Sequence, residues 1–150
     1  MQARFETFTV LINRISRDIR KIKNQEMADY HLRSAHVSCL YYVYSLESVT
    51  SAELCEHCEE DKATISRAVD YLETNGFLLR GTSAKRYKSP LLLTEKGRDA
   101  GKRIAEKIGI ILETVSHALT ENERIEFYRC LSTISRSLEA IVQNSEEKEM

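Results

Sequence analysis

The scarcity of residues that interrupt helices constrains the fold of this chain more than any other feature of its sequence. One Pro and five Gly occur among 150 residues. Proline removes a backbone donor and glycine favours turns, so a chain poor in both is expected to form long helices rather than many short strands. The sequence therefore predicts a mainly α fold, and its length suits one domain with a sizeable core.

Charge and hydropathy narrow the class of protein. The chain carries 22 Lys and Arg against 23 Asp and Glu, and its pI is about 6.4. A protein that coats nucleic acid uniformly would be strongly basic, so only a nucleic-acid binder with segregated charge fits this balance. No apolar stretch approaches the length of a membrane span and no secretory signal is visible. We therefore expect a cytoplasmic protein without a membrane partner, its four cysteines mostly reduced.

Apolar spacing predicts long helices towards both ends of the chain. Residues 4–24 repeat Phe or Ile at alternating intervals of three and four, and residues 34–47 are apolar nearly all round, as in a buried helix. Two more long helices are predicted after Thr94 and Thr120, the last followed from Ser145 by a charged, frayed tail. An apolar stripe on a terminal helix needs a partner helix, either within the chain or from a second subunit, and the stripes of the terminal helices favour a homodimer.

Capping residues predict two short helices between these long ones. Thr50 and Glu53 form a capping-box pattern at the start of the first. Asp61 is a candidate N-cap for the second, which Gly76 is expected to end in a left-handed conformation. The sequence therefore predicts two helices joined by a tight turn.

Two short apolar runs follow, at residues 77–80 and 89–93, on either side of a polar, basic segment. They predict a two-stranded hairpin, with Pro90 at an edge or at the start of a strand. Two short helices and a hairpin in this order are typical of a winged helix-turn-helix. The predicted fold is mainly α with a small β-hairpin wing, flanked by N- and C-terminal dimerisation helices.

Five sequence fragments follow one another across this region. They are Val49-Thr50, Glu53-Leu54-Cys55, Thr64-Ile65-Ser66-Arg67, Leu72-Glu73-Thr74-Asn75-Gly76 and Leu93-Thr94-Glu95-Lys96-Gly97. In this order and at these separations they resemble the DNA-binding core of the MarR family of bacterial and archaeal transcription regulators. The resemblance implies one MarR-like chain over residues 1–150, with a DNA-binding lobe at about 48–97 and dimerisation helices at about 4–24 and 98–143.

The resemblance also implies which residues meet DNA. The helix after Asp61 would enter the major groove, where Arg67 can read guanine with two hydrogen bonds. The family's wing commonly carries an Asp-x-Arg element, and the aligned residues here are Lys85, Arg86 and Tyr87, so the aspartate is absent. The predicted DNA-binding residues are Lys62, Ala63, Thr64, Ser66, Arg67, Asp70, Lys85, Arg86 and Lys88.

Charge is segregated along this stretch of the chain. Residues 46–75 hold eight acidic and two basic side chains, whereas residues 80–103 hold eight basic and two acidic ones. Phosphate attraction is therefore expected mainly from the wing and from the start of the helix that follows it.

Two clusters are candidate sensors. Cys55, His57 and Cys58 carry zinc-ligand chemistry, but no second Cys-x-x-Cys completes a four-ligand site, so packing is the preferred interpretation and no metal is predicted. Cys39 lies in an apolar helix with no evident neighbouring base. MarR-like proteins often bind small aromatic effectors, so the resemblance implies such a pocket at the second cluster, whose alternative interpretation is a tyrosine-rich core. The cluster comprises Tyr30, His31, His36, Tyr41 and Tyr44.

The sequence thus predicts a transcription regulator that binds double-stranded DNA at a pseudo-palindromic operator, most simply as a ligand-responsive repressor. No cofactor is expected. An enzyme is not expected, because no phosphate-binding Gly-rich loop or nucleophile motif is present. Two alternatives remain: a metal- or thiol-responsive sensor on the same fold, and a winged-helix module that contacts proteins without binding DNA.

Overall fold

A computed structural model describes residues 2–58, 60–82, 85 and 88–149, with side chains from residue 6 to residue 146 of these ranges. A short 3₁₀ helix (Ala28–Tyr30) separates the first two α-helices. The helices are α1 (Gln2–Glu26), α2 (Ser34–Leu46), α3 (Ser51–Cys58), α4 (Lys62–Thr74), α5 (Glu95–Ser116) and α6 (Glu121–Glu149), and the strands are β1 (Val49–Thr50), β2 (Leu78–Arg80) and β3 (Pro90–Leu93).

The chain forms two compact units, residues 1–108 and residues 109–150. The first contains α1 to α4, the sheet and the first part of α5, and the second contains the rest of α5 together with α6. The division into a DNA-binding lobe and dimerisation helices stays a prediction. None of the helices in the described ranges has the length and apolar character that a bilayer crossing requires.

The predicted helix starts are confirmed at atomic detail. The Glu53 carboxylate accepts a hydrogen bond from the Thr50 backbone N–H at 2.7 Å, and the Glu53 N–H donates to Thr50 Oγ1 at 3.3 Å. Thr94 Oγ1 likewise accepts from the Gly97 N–H at 3.0 Å, which caps α5. Gly76 has φ +78° where α4 ends, the left-handed conformation that glycine adopts without steric cost.

The predicted hairpin is confirmed, because β2 and β3 pair antiparallel, but the sheet contains a third strand that the sequence did not predict. The described residues form a three-stranded antiparallel sheet in the order β1-β3-β2, in which Val49 pairs with Leu91 and Thr50 with Pro90. Pro90 starts its strand as predicted, but that strand is central and not an edge. β1 has two residues, which is too short for the alternation that reveals a strand in a sequence.

The core of the first unit joins the sheet to α2, α3 and α4. The predicted inner face of α4 is buried, with Ile65, Val69 and Leu72 at most 1% exposed. These side chains pack with residues from every other element of the helix-turn-helix and sheet, including Leu40, Val43, Val49, Leu54, Phe77, Leu78 and Leu91. The buried face orients α4 and leaves its opposite face to solvent.

In the second unit, the frayed tail predicted from Ser145 was wrong. The backbone stays helical to Glu149, because Glu and Lys are good helix formers and no Gly or Pro interrupts them. The apolar stripe of α6 is exposed within this unit: Ile125, Leu138 and Ile141 are 60%, 47% and 62% exposed.

Candidate nucleic-acid interface

The outward face of α4 presents four of the predicted DNA-binding residues to solvent. Lys62, Ala63, Ser66 and Arg67 are exposed, while Thr64 is half-buried. All lie in the first two turns of the helix, the part of a recognition helix that contacts base edges in helix-turn-helix proteins. The surface formed by these five residues is called the α4 face below.

The α4 face is held by the cap of its helix. Asp61 accepts from the Thr64 N–H at 2.8 Å and from Thr64 Oγ1 at 2.9 Å. These hydrogen bonds, with a smaller contribution from the Arg67 guanidinium, hold the pKa of Asp61 below its ordinary value. Arg67 Nη2 donates to Thr64 Oγ1 at 3.3 Å. The cap therefore orients the first turn of α4 and steadies the side chain best suited to reading guanine.

Asp70, the sixth predicted residue of this helix, serves a different contact. Arg80 on β2 donates from Nη2 to Asp70 Oδ1 at 3.0 Å and from Nε to Glu73 Oε2 at 2.7 Å. The Arg80 side chain is only 14% exposed. One basic residue of the wing segment is therefore used to fasten β2 to α4. Sequence reasoning missed this network, since the partners lie on different elements with no common spacing.

Only part of the predicted wing surface is described. Lys85 and Lys88 are exposed, and the Lys88 N–H donates to the Lys85 carbonyl at 3.0 Å. Arg86, the residue aligned with the family's wing arginine, lies outside the described residues. The wing contacts stay a prediction.

A cavity of about 520 Å³ lies between α3, α4 and β2. Ser51 and Cys55 line it from α3, Ser66 and Asp70 from α4, and Arg80 from β2. Lys62 and Ser66 of the α4 face also line it, so the cavity adjoins that face.

The predicted effector cluster is engaged in contacts within the first unit. His36 stacks on Tyr71 with ring centroids 4.2 Å apart, and burial followed by the charge of Arg33 lowers the pKa of His36. The ring centroids of Tyr30 and Phe77 lie 6.4 Å apart. These contacts agree with the tyrosine-rich core interpretation.

The other members of the cluster differ in exposure. His31 is exposed and its carbonyl accepts a hydrogen bond from the Tyr71 hydroxyl at 2.9 Å, whereas Tyr41 and Tyr44 are half-buried. Neither the cavity beside the α4 face nor a second one beside Cys58 is lined by any of the five predicted residues. An effector role for the cluster stays a prediction.

The cysteines are free and differ in exposure. Cys39 is buried, whereas Cys55 and Cys58 are half-buried and pack against the core. Across the described ranges, no three His, Cys, Asp or Glu side chains come together as a metal-binding group.

Comparison of the chain with protein-family models gives no match. Among curated proteins, the chain is 25% identical over 97 residues to YwoH of Bacillus subtilis (strain 168), described as an uncharacterized HTH-type transcriptional regulator. That match covers 65% of this chain and 71% of YwoH.

Several solved structures are similar over most of the chain. NMB1585, a MarR family regulator from Neisseria meningitidis, has a TM-score of 0.82 at 18% identity, covering 95% of this chain and 98% of that one. Staphylococcus aureus MepR, in a complex with DNA, has a TM-score of 0.77 at 18% identity, covering 87% and 97%. The transcriptional regulator SlyA has a TM-score of 0.77 at 23% identity, covering 87% and 93%. The chain therefore has the winged helix-turn-helix fold of the MarR-family structures, as its motifs predicted.

Proposed function

We propose that this protein is a MarR-family transcription regulator that binds double-stranded DNA in a sequence-specific manner, as a homodimer. The observation that carries the proposal is the α4 face: a recognition-type helix buried on one side exposes Lys62, Ser66 and Arg67 on the other. The DNA complex of the structurally similar MepR supports the same role for this chain.

Local charge supports different contributions of the wing and of the α4 face to DNA binding. Lys85 and Lys88 are exposed on the wing, and the basic segment from residue 80 to residue 103 continues into α5. Lysine and arginine attract phosphate without reading sequence, whereas base edges are read by hydrogen bonds and apolar contacts in the groove. The wing would thus supply affinity, and the α4 face would supply discrimination.

Homodimer formation is proposed from the apolar side chains that each unit exposes on its own. Ile15 and Ile19 on α1 are 51% and 48% exposed, and the α6 stripe described above is exposed to a similar extent. A homodimer with two recognition helices would read a pseudo-palindromic operator with half-sites about 10 bp apart. Release of the operator by a small effector, which makes the protein a ligand-responsive repressor, is part of the same proposal.

The test is selection of bound duplexes from a random pool, with wild-type protein and two variants. Wild type is expected to enrich a pseudo-palindrome. Arg67→Ala is expected to lose preference at one base position in each half-site, at a cost of about 1–3 kcal/mol. Arg17→Ala is the control, because Arg17 is an exposed arginine on α1 that pairs only with its neighbour Asp18 among the ion pairs described.

Three outcomes would contradict the proposal. Enrichment of no sequence by wild type would leave the protein-contact module as the function of the fold. Selection of the same motif by Arg67→Ala, with the stringency of wild type, would remove the α4 face as the reading surface. A changed motif for Arg17→Ala would place the reading surface elsewhere.

A further inference from the structure

Two thiols from different elements meet where α3 ends. Cys39 on α2 is 0% exposed, and Cys58 is the last residue of α3. Cys58 packs against the core cluster that contains Cys39, and the two thiols are close enough for each to shift the pKa of the other. Both are free cysteines. Disulfide formation needs two cysteines on approaching elements, and α2 and α3 pack together here.

A cavity of about 280 Å³ opens beside one of these thiols and not the other. Cys58 lines it together with Lys23 and Ile19 of α1 and Ser38 of α2. Lys23 is held at the cavity wall, where its Nζ donates to Ser38 Oγ at 2.9 Å. A small solute in this cavity would contact Cys58, whereas Cys39 does not line the cavity and is buried in the core.

The surroundings give the two thiols different acidities. The hydrogen bond from Cys39 and, to a smaller extent, the ammonium of Lys23 lower the pKa of Cys58, against the opposing effects of burial and of Glu60. The same hydrogen bond and its own burial raise the pKa of Cys39 well above the ordinary value for a thiol. Cys58 is therefore the better nucleophile, since the thiolate is the reactive form, and Cys39 keeps its proton.

We propose that Cys58 is a site of oxidation by hydrogen peroxide and that Cys39 is the thiol that resolves it to a disulfide. In the first step the Cys58 thiolate attacks one peroxide oxygen, the O–O bond breaks, and the leaving hydroxide takes a proton to become water. The sulfur is oxidised to a sulfenic acid as the peroxide is reduced.

In the second step the Cys39 sulfur attacks the Cys58 sulfur. The S–S bond forms, the S–O bond breaks, and the hydroxide leaves as water with the proton from Cys39. Overall, two thiols and one peroxide become one disulfide and two waters. The chemistry itself requires neither DNA nor a second copy of the chain, but the cavity is lined in part by Ile19 of the α1 face proposed for the homodimer, so access to Cys58 rests in part on that proposal.

The chain contains two natural controls. Cys55 is half-buried on the same helix as Cys58, but its Sγ donates to the Ser51 carbonyl at 3.3 Å, and burial is the main cause that raises its pKa. Cys130 on α6 is exposed and lies in the other unit. Cys55 is half-buried like Cys58, and Cys130 is more accessible than Cys58.

The test is peptide mapping by mass spectrometry of the full-length reduced protein after hydrogen peroxide treatment. Wild type is expected to form an intramolecular Cys39–Cys58 disulfide, and Cys55→Ser and Cys130→Ser are expected to form it at the same rate. Cys39→Ala and Cys39→Ser are expected to stop at a Cys58 sulfenic acid, trapped by dimedone. Lys23→Gln is expected to slow disulfide formation several-fold, because the thiolate loses its neighbouring cation.

The proposal is overturned if peroxide joins other cysteines in preference to this pair. It is equally overturned if dimedone labels Cys55 or Cys130 as fast as Cys58 in the Cys39 variants, or if no residue is oxidised faster than free cysteine. Circular dichroism identifies the variants that fold. If the core does not tolerate the polar Cys39→Ser, the apolar Cys39→Ala provides the folded variant.

Discussion

At the residue scale, Arg80 shows why a count of charges along the sequence overstates the surface available to phosphate. The sequence places it in the basic wing segment, whereas the structure turns it inward to Asp70 and Glu73 at 3.0 and 2.7 Å. We expect Arg80→Gln to lower the free energy of unfolding by about 1–3 kcal/mol, because two carboxylates lose their shared cation. Chemical denaturation measures this change.

The matched substitution is Lys88→Gln, which removes an exposed wing cation. Its stability is expected to stay within about 0.5 kcal/mol of wild type, while the salt dependence of DNA binding falls by about one counterion. The opposite pattern, in which Arg80→Gln is neutral for stability and Lys88→Gln is not, would contradict the assignment of Arg80 to the fold.

Asp61 makes a prediction about pH. Its pKa is held down by the hydrogen bonds from Thr64, so the cap stabilises the fold above the unfolded Asp pKa of about 3.9. This stabilisation is lost as the pH falls through the lower, folded pKa. We expect Asp61→Ala to have a lower Tm than wild type at neutral pH, and the difference to narrow as the pH falls below about 3.9.

Asp61→Asn serves as the control, since an amide oxygen also accepts hydrogen bonds at an N-cap and does not titrate. Its Tm at neutral pH should lie close to that of wild type. Thermal unfolding followed by circular dichroism at several pH values measures all three proteins. A difference between wild type and Asp61→Ala that does not change with pH would show that the carboxylate is not the stabilising group.

These two residues also mark what sequence can predict locally. The caps at Thr50, Asp61 and Thr94 were predictable because a capping side chain bonds to the backbone two or three residues ahead, so the pattern lies within one short window. The ion pairs of Arg80 and the contact between Cys39 and Cys58 were not, because each joins separate elements. Their partners are set by packing alone.

At the element scale, two glycines of α5 give opposite predictions. A Cβ on Gly97 would lie 1.9 Å from the Phe77 carbonyl oxygen, whereas a Cβ on Gly109 would meet nothing within 4 Å. We expect Gly97→Ala to lower the free energy of unfolding by about 1–3 kcal/mol or more, because the helix must move away from the backbone of Phe77. Gly109→Ala is expected to raise it by about 0.5–1 kcal/mol, since alanine favours helix.

Denaturant unfolding of the two single variants compares the same chemical change on one helix. Equal effects of both substitutions would contradict the close approach of α5 to Phe77. That result would also mean that close packing does not explain the glycine of the Leu-Thr-x-x-Gly fragment at residues 93–97.

Whole elements were predictable in proportion to their length. The long helices were recognised from repeated apolar spacing, and α4 from its buried positions 65, 69 and 72 together with its two ends. β1 was missed because two residues carry no period, although its pairing with β3 makes β3 the central strand. The end of α6 was missed because a charged sequence without Gly or Pro can continue as a helix or fray, and only the backbone shows which.

At the scale of the whole molecule, the dimer prediction can be tested on α6. Ile141 lies on the apolar stripe and is 62% exposed. The exposed Gln143 is two residues further along, which places it on nearly the opposite face of the helix. We expect Ile141→Glu to weaken homodimer formation at least about tenfold, because an interface of this kind would bury the charge without a partner. Analytical ultracentrifugation over a range of concentrations measures the change.

Gln143→Glu adds the same charge to the same helix away from the stripe, and is expected to leave the dimer constant close to that of wild type. A wild-type protein that sediments as a monomer at high concentration would refute the proposed dimer outright. Equal weakening by both substitutions would show that net charge, and not the apolar stripe, governs association.

Net charge at this scale conceals the feature that matters for DNA. The chain is nearly neutral, yet an acidic stretch at residues 46–75 adjoins a basic one at residues 80–103. The sequence could predict this segregation and the identity of the helix that faces outward. It could not show that Arg80 is used internally, nor where the contacts of the wing fall.

The most direct test of the proposed function is the ratio of affinities for two duplexes at physiological salt. One carries the pseudo-palindrome recovered by selection, and the other is the same duplex with its sequence scrambled. A sequence-specific regulator is expected to bind the first at least about 1,000-fold more tightly, with both affinities falling steeply as salt is added. Equal affinities for the two duplexes, or no binding to either, would contradict it.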